Sequence, residues 1–338
     1  MPFIIVRDDL TKMAVDAVVN TTNVKLQAGS GGVSGAIYAA AGEDLLRAAC
    51  EKIGGCAYGS AIATPGFHLP AGHIIHTPSM VWRDGLHGEE ESLRACYRAC
   101  LRLAADKGFE SLAFPLIGSG AHGYPKPLAL TVATQEINGF LLGYEGDMTI
   151  YLAVFGHRAF ALSKKLADEV QEFIDDHYVD LRPERRRVLD DVDYMISVHE
   201  AERSYPKPCM ALPPDFEIVP QPTFAKAMIQ YIDSHRMTDP EVYKNANITK
   251  QNFYKIKTEK SQPKKATVLA LCVSMQLSLE ETVRFLELAG YALSPASQSD
   301  VIVKYFISRS IYNVAEINTV LFDYHQDKYL LGGNSDDK

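Results

Sequence analysis

Apolar residues in the first half of the chain come in short runs separated by longer stretches of helical period. The runs at 3–6, 14–20, 61–64, 73–77, 112–117 and 148–155 are strand-length, and several are almost wholly apolar, as strands buried on both faces require. Between them, the segments 34–50, 89–107, 127–142 and 158–177 carry the apolar spacing of helices. Strands alternating with helices predict an α/β fold whose sheet is covered on both faces. The texture changes after Tyr178. Residues 182–222 hold the basic run Arg185-Arg186-Arg187, the acidic run Asp190-Asp191-Val192-Asp193 and a series of prolines ending in Pro220 and Pro222. This reads as a linker that is at most partly helical, its arginines a solvated face paired with the aspartates. From Thr223 onward the pattern is helical, with few strand signals and no internal repeat.

A chain of 338 residues exceeds one ordinary core and implies two domains. Its start carries no basic segment or small-residue cleavage site, and no apolar run approaches a membrane span, so a cytoplasmic protein with no membrane partner is expected. The six cysteines, at 50, 56, 96, 100, 209 and 272, show no paired ligand spacing, and Cys96 and Cys100, which share a helix face with Leu93 and Leu103, read as reduced core residues. No metal or other cofactor is expected. A formal net charge of −8 argues against a protein that coats nucleic acid along its whole surface, yet permits a local basic patch.

Two glycine-rich turns follow apolar strands. The first joins Asn20-Thr-Thr-Asn23 through Gly29, Gly31 and Gly32 to a helix starting near Ser34-Gly35-Ala36-Ile37. The second is Ile117-Gly118-Ser119-Gly120-Ala121-His122-Gly123-Tyr124-Pro125. Glycines let a backbone approach a ligand closely, and a helix N-terminus offers free N–H groups to an anion. The spacing fits neither GxxxxGK[ST] nor GxGxxG, which disfavours Walker-type hydrolysis and simple dinucleotide binding. Two such cradles suit a diphosphate.

With the early turn Asp8-Asp9-Leu10-Thr11 added, these motifs resemble, in order, those of the macrodomain family. The resemblance covers residues 1–178 and implies a three-layer α/β/α fold with a mixed central sheet that binds ADP-ribose at the strand ends. It implies that Asp9 accepts from the adenine amino group, with the Leu10 backbone completing that contact, and that Asn20 belongs to the ligand site. Asn23 would set its amide against the ribose attached to the diphosphate; bracing the turn through an Asx hydrogen bond is its plainer role. Gly31, Gly32, Val33 and the loop Gly118, Ser119, Gly120, Ala121, His122, Gly123 and Tyr124 would clasp the diphosphate, and Phe155 could stack on adenine or serve as core. Candidate catalytic residues are Asn23, Ser34 and His122. Hydrolytic members commonly carry Asp where this chain has Ser34, and a hydroxyl does not replace a carboxylate base. Other members lacking that Asp still turn over, which implies weakened activity. His122 occupies a position where the family often has Phe or Tyr. It could stack there, act as an acid or base, or be a solvent-exposed loop residue. His73 and His76 read as hydrogen-bonded strand residues.

In the second half, Asp239 is the expected cap of one short helix with Pro240 at its first position, and Thr249 caps another over 249–257, an arrangement that resembles the helix-turn-helix of Cro-like repressors. Seven lysines between Lys244 and Lys265 face one acid, Glu259, a local charge of +6. Duplex DNA is the expected partner, with Gln251 and Asn252 near base edges and Lys250, Lys255 and Lys257 near phosphates; a solvated face on a protein-interaction module is the alternative. The domains are then 1–178 macrodomain, 179–222 linker, 223–330 helical and 331–338 disordered tail. Two functions stay open: a hydrolase acting on ADP-ribosylated protein or a small ADP-ribosyl ester, and a non-catalytic sensor of ADP-ribose or a related NAD-derived metabolite coupled to the helical domain.

Overall fold

The computed structural model describes residues 2–29, 31–154, 164–179 and 222–332. Phe155, Cys209, the arginine run at 185–187 and the tail from 333 lie outside the described residues.

Six strands form one mixed sheet: β1 (Phe3–Val6), β2 (Ala17–Thr22), β3 (Ile62–Pro65), β4 (His73–Pro78), β5 (Ser111–Pro115) and β6 (Thr149–Ala153). Their order is β1-β6-β5-β2-β4-β3, parallel except for the antiparallel β3–β4 pair. Successive side chains of a strand alternate between faces. Ala17 and Val19 therefore pack with α3 (Glu89–Asp106) and α4 (Lys126–Gly143), while Val18 packs with α1 (Gly32–Ala41) and α2 (Glu43–Ile53). The three layers are those the apolar runs imply. The helix expected over 34–50 is two helices, because the backbone turns at Gly42 with φ 94°. The five described cysteines are buried free thiols.

Helix α5 (Lys164–His177) departs from the expected arrangement. Its Val170 and Ile174 lie in the core of the helical region with Met228, Phe253 and Phe306, not on the sheet. An amphipathic period tells that a face is buried but not against what. Packing thus divides residues 1–178 before α5. The helical region continues through α6 (Phe224–Ser234), α7 (Asp239–Asn245), α8 (Lys250–Lys257), α9 (Lys265–Ser274), α10 (Leu279–Leu288), α11 (Gln298–Ser308) and α12 (Val314–Asp323). Thr238, rather than Asp239, caps α7, in a capping box with Glu241. The chain expected to be disordered from 331 is still packed there: Leu331 is buried, and its backbone N–H and C=O both bond to the Asn318 amide.

The two halves meet along β1, an edge strand with unpaired backbone groups to cover. Asn247 covers them as a strand would, its Oδ1 accepting from Phe3 N (2.5 Å) and its Nδ2 donating to Phe3 O (2.7 Å). Phe322 and Ala315 of α12 complete the core under α3 and α4. Lys244 Nζ donates to the Leu142 (2.7 Å) and Tyr144 (3.2 Å) carbonyls at the negative end of α4. At the end of β1, Arg7 donates to Phe322 O (2.6 Å) and to Asp327 (2.9 Å), with its guanidinium 4.0 Å from the Phe322 ring centroid. Replacing Asn247 with Ala strands both Phe3 groups, and urea melts are expected to register a loss of about 1–3 kcal/mol; an unchanged midpoint would show that the edge contact contributes nothing.

Candidate functional site

Strands β2 and β5 are paired only at Ala17 with Leu112 and Val18 with Ala113. Beyond that point β2 continues beside β4 to Thr22, and β5 continues beside β6 to Pro115. The split opens a cleft of about 460 Å³ at the carboxyl ends of the strands, where ligands of open α/β sheets bind. Thr21, Thr22 and Asn23 form one wall, Leu116, Gly118, Gly120, Ala121 and His122 the other, and the start of α1 lies across it.

Both glycine turns reach this cleft. Gly31 stands at the N-cap of α1 with no side chain to cap it, and the first intrahelical bond is Gly35 N to Gly31 O. The preceding N–H groups, of Gly32, Val33 and Ser34, are therefore free of intrahelical acceptors on the cleft side. In the second turn, Tyr124 N bonds back to Gly118 O, and a Cβ on Gly118, at φ 78°, would sit 3.3 Å from Tyr124 Cβ. That close return needs glycine. Tyr124 is buried against Trp82, with ring centroids 4.5 Å apart, so it supports the loop from behind and does not line the cleft. Ser119 turns its hydroxyl to Leu116 O, and Gly123 closes the turn through its N–H to Gly120 O; neither lines the cleft.

The candidate catalytic side chains all line the cleft. Asn23 Oδ1 accepts from Lys25 N (2.9 Å) and Gln27 N (3.3 Å), the Asx-type brace, which leaves its Nδ2 for a ligand. Ser34 is in the first turn of α1 and its Oγ accepts from Gly29 N at 3.4 Å, so it ties the glycine turn to the helix and is not the N-cap. His122 is held from two sides. Its carbonyl accepts from Trp82 N (2.8 Å), and its Nδ1 lies 2.5 Å from the hydroxyl of buried Ser79. Burial pushes the imidazole pKa below its usual value, so the ring is neutral near pH 7. It is not a loose loop histidine.

Besides Ser119, Gly123 and Tyr124, three more expected ligand residues lie outside the cleft lining. Asp9 caps the turn Leu10–Lys12, its Oδ1 accepting from Thr11 N (3.0 Å) and Oγ1 (2.7 Å), bonds that hold the carboxyl below its ordinary pKa. Leu10 is buried in the core. Asn20 is wholly buried in β2, with Nδ2 donating to His76 Nδ1 at 3.1 Å. Two further residues were not expected from the sequence: Thr21 lines the cleft, its buried hydroxyl without a partner among the described residues, and Ser79 holds His122. Ser79 could have been found from its place just past β4, at the same sheet edge as the two glycine turns.

Elsewhere, Asp84, His87 and Glu89 bring candidate metal-ligand atoms within 4.8 Å of one another. The Glu89 oxygens already accept from Arg83 N and His87 N, so the group braces its loop. On α8, Lys257 is ion-paired to Asp239 at 2.7 Å, which withdraws it from the expected phosphate contacts, whereas Lys250, Gln251 and Lys255 are exposed. Lys244 and Lys265 are also engaged, at α4 and at Asp300, so the patch of seven lysines is smaller than its count. Among the described residues no helix is long and apolar enough to cross a membrane.

Residues 19–133 match the Macro domain family. A Macro domain-containing protein of Methanosarcina mazei is 42% identical over 162 residues, spanning 48% of this chain and 86% of that protein. The chain belongs to the macrodomain family. The macrodomain is also 40% identical over 166 residues to the O-acetyl-ADP-ribose deacetylase of Salmonella gallinarum, covering 48% of this chain and 92% of that protein. Among solved structures, the Oceanobacillus iheyensis macrodomain with ADP is 35% identical, covers 50% of this chain and 90% of its own, and gives a TM-score of 0.44.

Proposed function

We propose that the cleft binds ADP-ribose and that the protein hydrolyses ADP-ribosyl esters slowly. The observation that carries this reading is the convergence of two glycine turns, with the free N–H groups of the α1 start, on one cleft of about 460 Å³. Backbone N–H groups and a helix N-terminus stabilise a diphosphate without a metal or a lysine. The relatives named O-acetyl-ADP-ribose deacetylase support an ester on the ribose as the bond broken.

In this scheme a water attacks the ester carbonyl, its proton passes to a neutral acceptor, and collapse of the tetrahedral adduct returns that proton to the departing ribose oxygen. Asn23 Nδ2 is the donor best suited to orient the ribose or the water. Ser34 offers no base. Neutral His122 is the titratable side chain lining the cleft that can accept the proton, and loss of a carboxylate at position 34 accounts for the slow rate.

A sensing role alongside turnover has support in Arg7. It lies two residues from Asp9 and is bonded to Phe322 O and Asp327 of the helical region, so a ligand at the Asp9 turn would bear on that contact. Duplex DNA at α8 has less support, because Lys257 is engaged and residues 328–332 wall one side of the helix.

Calorimetry is expected to register ADP-ribose binding, with AMP weaker because it offers one phosphate to two cradles. In single-turnover assays Asn23→Ala is expected to abolish hydrolysis. No heat with ADP-ribose at millimolar concentration would overturn the site, and unchanged turnover in Asn23→Ala would overturn the chemistry.

A further inference from the structure

The helical region contains a second cavity, of about 440 Å³, between the starts of α8 and α9 and the chain at 328–332. Four lysines line it, Lys255, Lys264, Lys265 and Lys328, with no carboxylate among the described residues of its lining. Lys265 is paired to Asp300 and Lys264 is also engaged, whereas Lys255 and Lys328 make no side-chain bond among the described residues. Like charges gathered in a concavity, on a chain of formal net charge −8, repel one another unless an anion joins them. The backbone adds to the same field. Lys264 at the N-cap of α9 makes no side-chain cap, and the first bond there is Val268 N to Lys264 O, so the N–H groups of Lys265, Ala266 and Thr267 have no helical acceptor and belong to the cavity wall.

The shape separates a small ligand from duplex DNA. A helix that reads a major groove presents an open, convex face. Here the segment 328–332 is fixed beside α8: Leu331 is bonded both ways to Asn318, and Gly332, at φ 67°, is packed so closely that a Cβ would lie 2.4 Å from Ala246 O in the turn between α7 and α8. The wall turns the first residues of α8 into one side of a pocket of the volume that nucleotide-sized molecules occupy. Tyr329, 55% exposed, offers a ring to stack on a base, and Gln251 an amide for a base edge.

We propose that this cavity is a second ligand site, for a nucleoside phosphate. Its phosphates face the lysines and the start of α9, and its base lies toward Tyr329 and Gln251.

The test titrates the full chain with ADP after saturating the protein with ADP-ribose, so that the macrodomain cleft is already filled. ADP is expected to bind, and Lys255→Glu and Lys328→Glu are each expected to weaken it at least about tenfold, a charge reversal against a phosphate. Both side chains are exposed and make no bond among the described residues, so circular dichroism of the variants is expected to match the parent. Lys250→Glu, exposed on α8 but outside the cavity, is expected to leave ADP binding unchanged. A labelled duplex measured in parallel separates the alternatives. Duplex binding weakened by all three variants, with no ADP binding, would overturn the proposal in favour of a nucleic-acid face. Absence of binding to either probe, or ADP binding unaffected by Lys255→Glu and Lys328→Glu, would overturn it outright. ADP-ribose binding at the first cleft is read separately by its own titration, so failure there does not count against this site.

Discussion

Ser34→Asp is expected to accelerate single-turnover hydrolysis of an O-acyl ADP-ribose ester by about 10²- to 10⁴-fold, the range a positioned general base contributes. Ser34 already lines the cleft, in the first turn of α1, and that turn contains no acid. A carboxylate there meets the positive end of the helix dipole, which favours its charged, basic form and costs the fold nothing. Its oxygens can also accept from Gly29 N, the bond that Ser34 Oγ now makes at 3.4 Å. The added charge faces the diphosphate, so affinity for ADP-ribose is expected to fall somewhat while the chemical step quickens, and single-turnover measurement at saturation separates the two. Equal rates in both proteins, with ADP-ribose still bound, would mean that the water attacks from another side of the cleft, and His122→Asn would become the decisive variant.

What could be read without the structure follows from the kind of constraint each residue carries. Central strands buried on both faces must be largely apolar, and all six strands were visible as short runs, with ends displaced by a few residues. The glycine turns were visible because glycine answers a backbone requirement that no other residue meets cheaply, as the packing of Gly118 on Tyr124 illustrates. Serine and threonine carry no such signature, and Ser79 and Thr21 acquire their roles only when β2, β4 and β5 bring them to one edge. The partner of a helix is not encoded in its period either. Nothing in 164–177 distinguishes a helix on the sheet from one against Phe306, and nothing near Asn247 announces that its amide completes β1. Counting lysines overstated the basic patch because Lys244, Lys257 and Lys265 have partners distant in sequence. The same folding that removed those three leaves Lys255 and Lys328 at a common cavity, a pairing no local motif contains.

The second large effect expected is a loss of stability between pH 6.5 and about 4 that belongs to His76. This residue is wholly buried in β4, opposite Asn20 of β2, and burial pushes its pKa down to about 4. With Asn20 Nδ2 donating to Nδ1 at 3.1 Å, the neutral ring carries its proton on Nε2 and donates to Thr64 Oγ1 at 2.9 Å. In the unfolded chain the same histidine titrates near 6.5. Between those values the unfolded state holds a proton that the folded state does not. Stability therefore rises with pH through this window and falls as pH drops, by a contribution on the order of 3 kcal/mol at its lower end. Urea titrations at a series of pH values are expected to trace that slope in the parent protein and to lose it in His76→Gln, whatever the variant's stability at neutral pH. Because Asn20 is continuous with Thr21 and Thr22 of the cleft wall, ADP-ribose binding is expected to persist while the ring stays neutral and to fail with the fold below it. Direct observation of the imidazole by NMR decides the matter even if the variant does not fold: a His76 resonance titrating near 6.5 in the native protein would remove both the slope and its connection to the cleft.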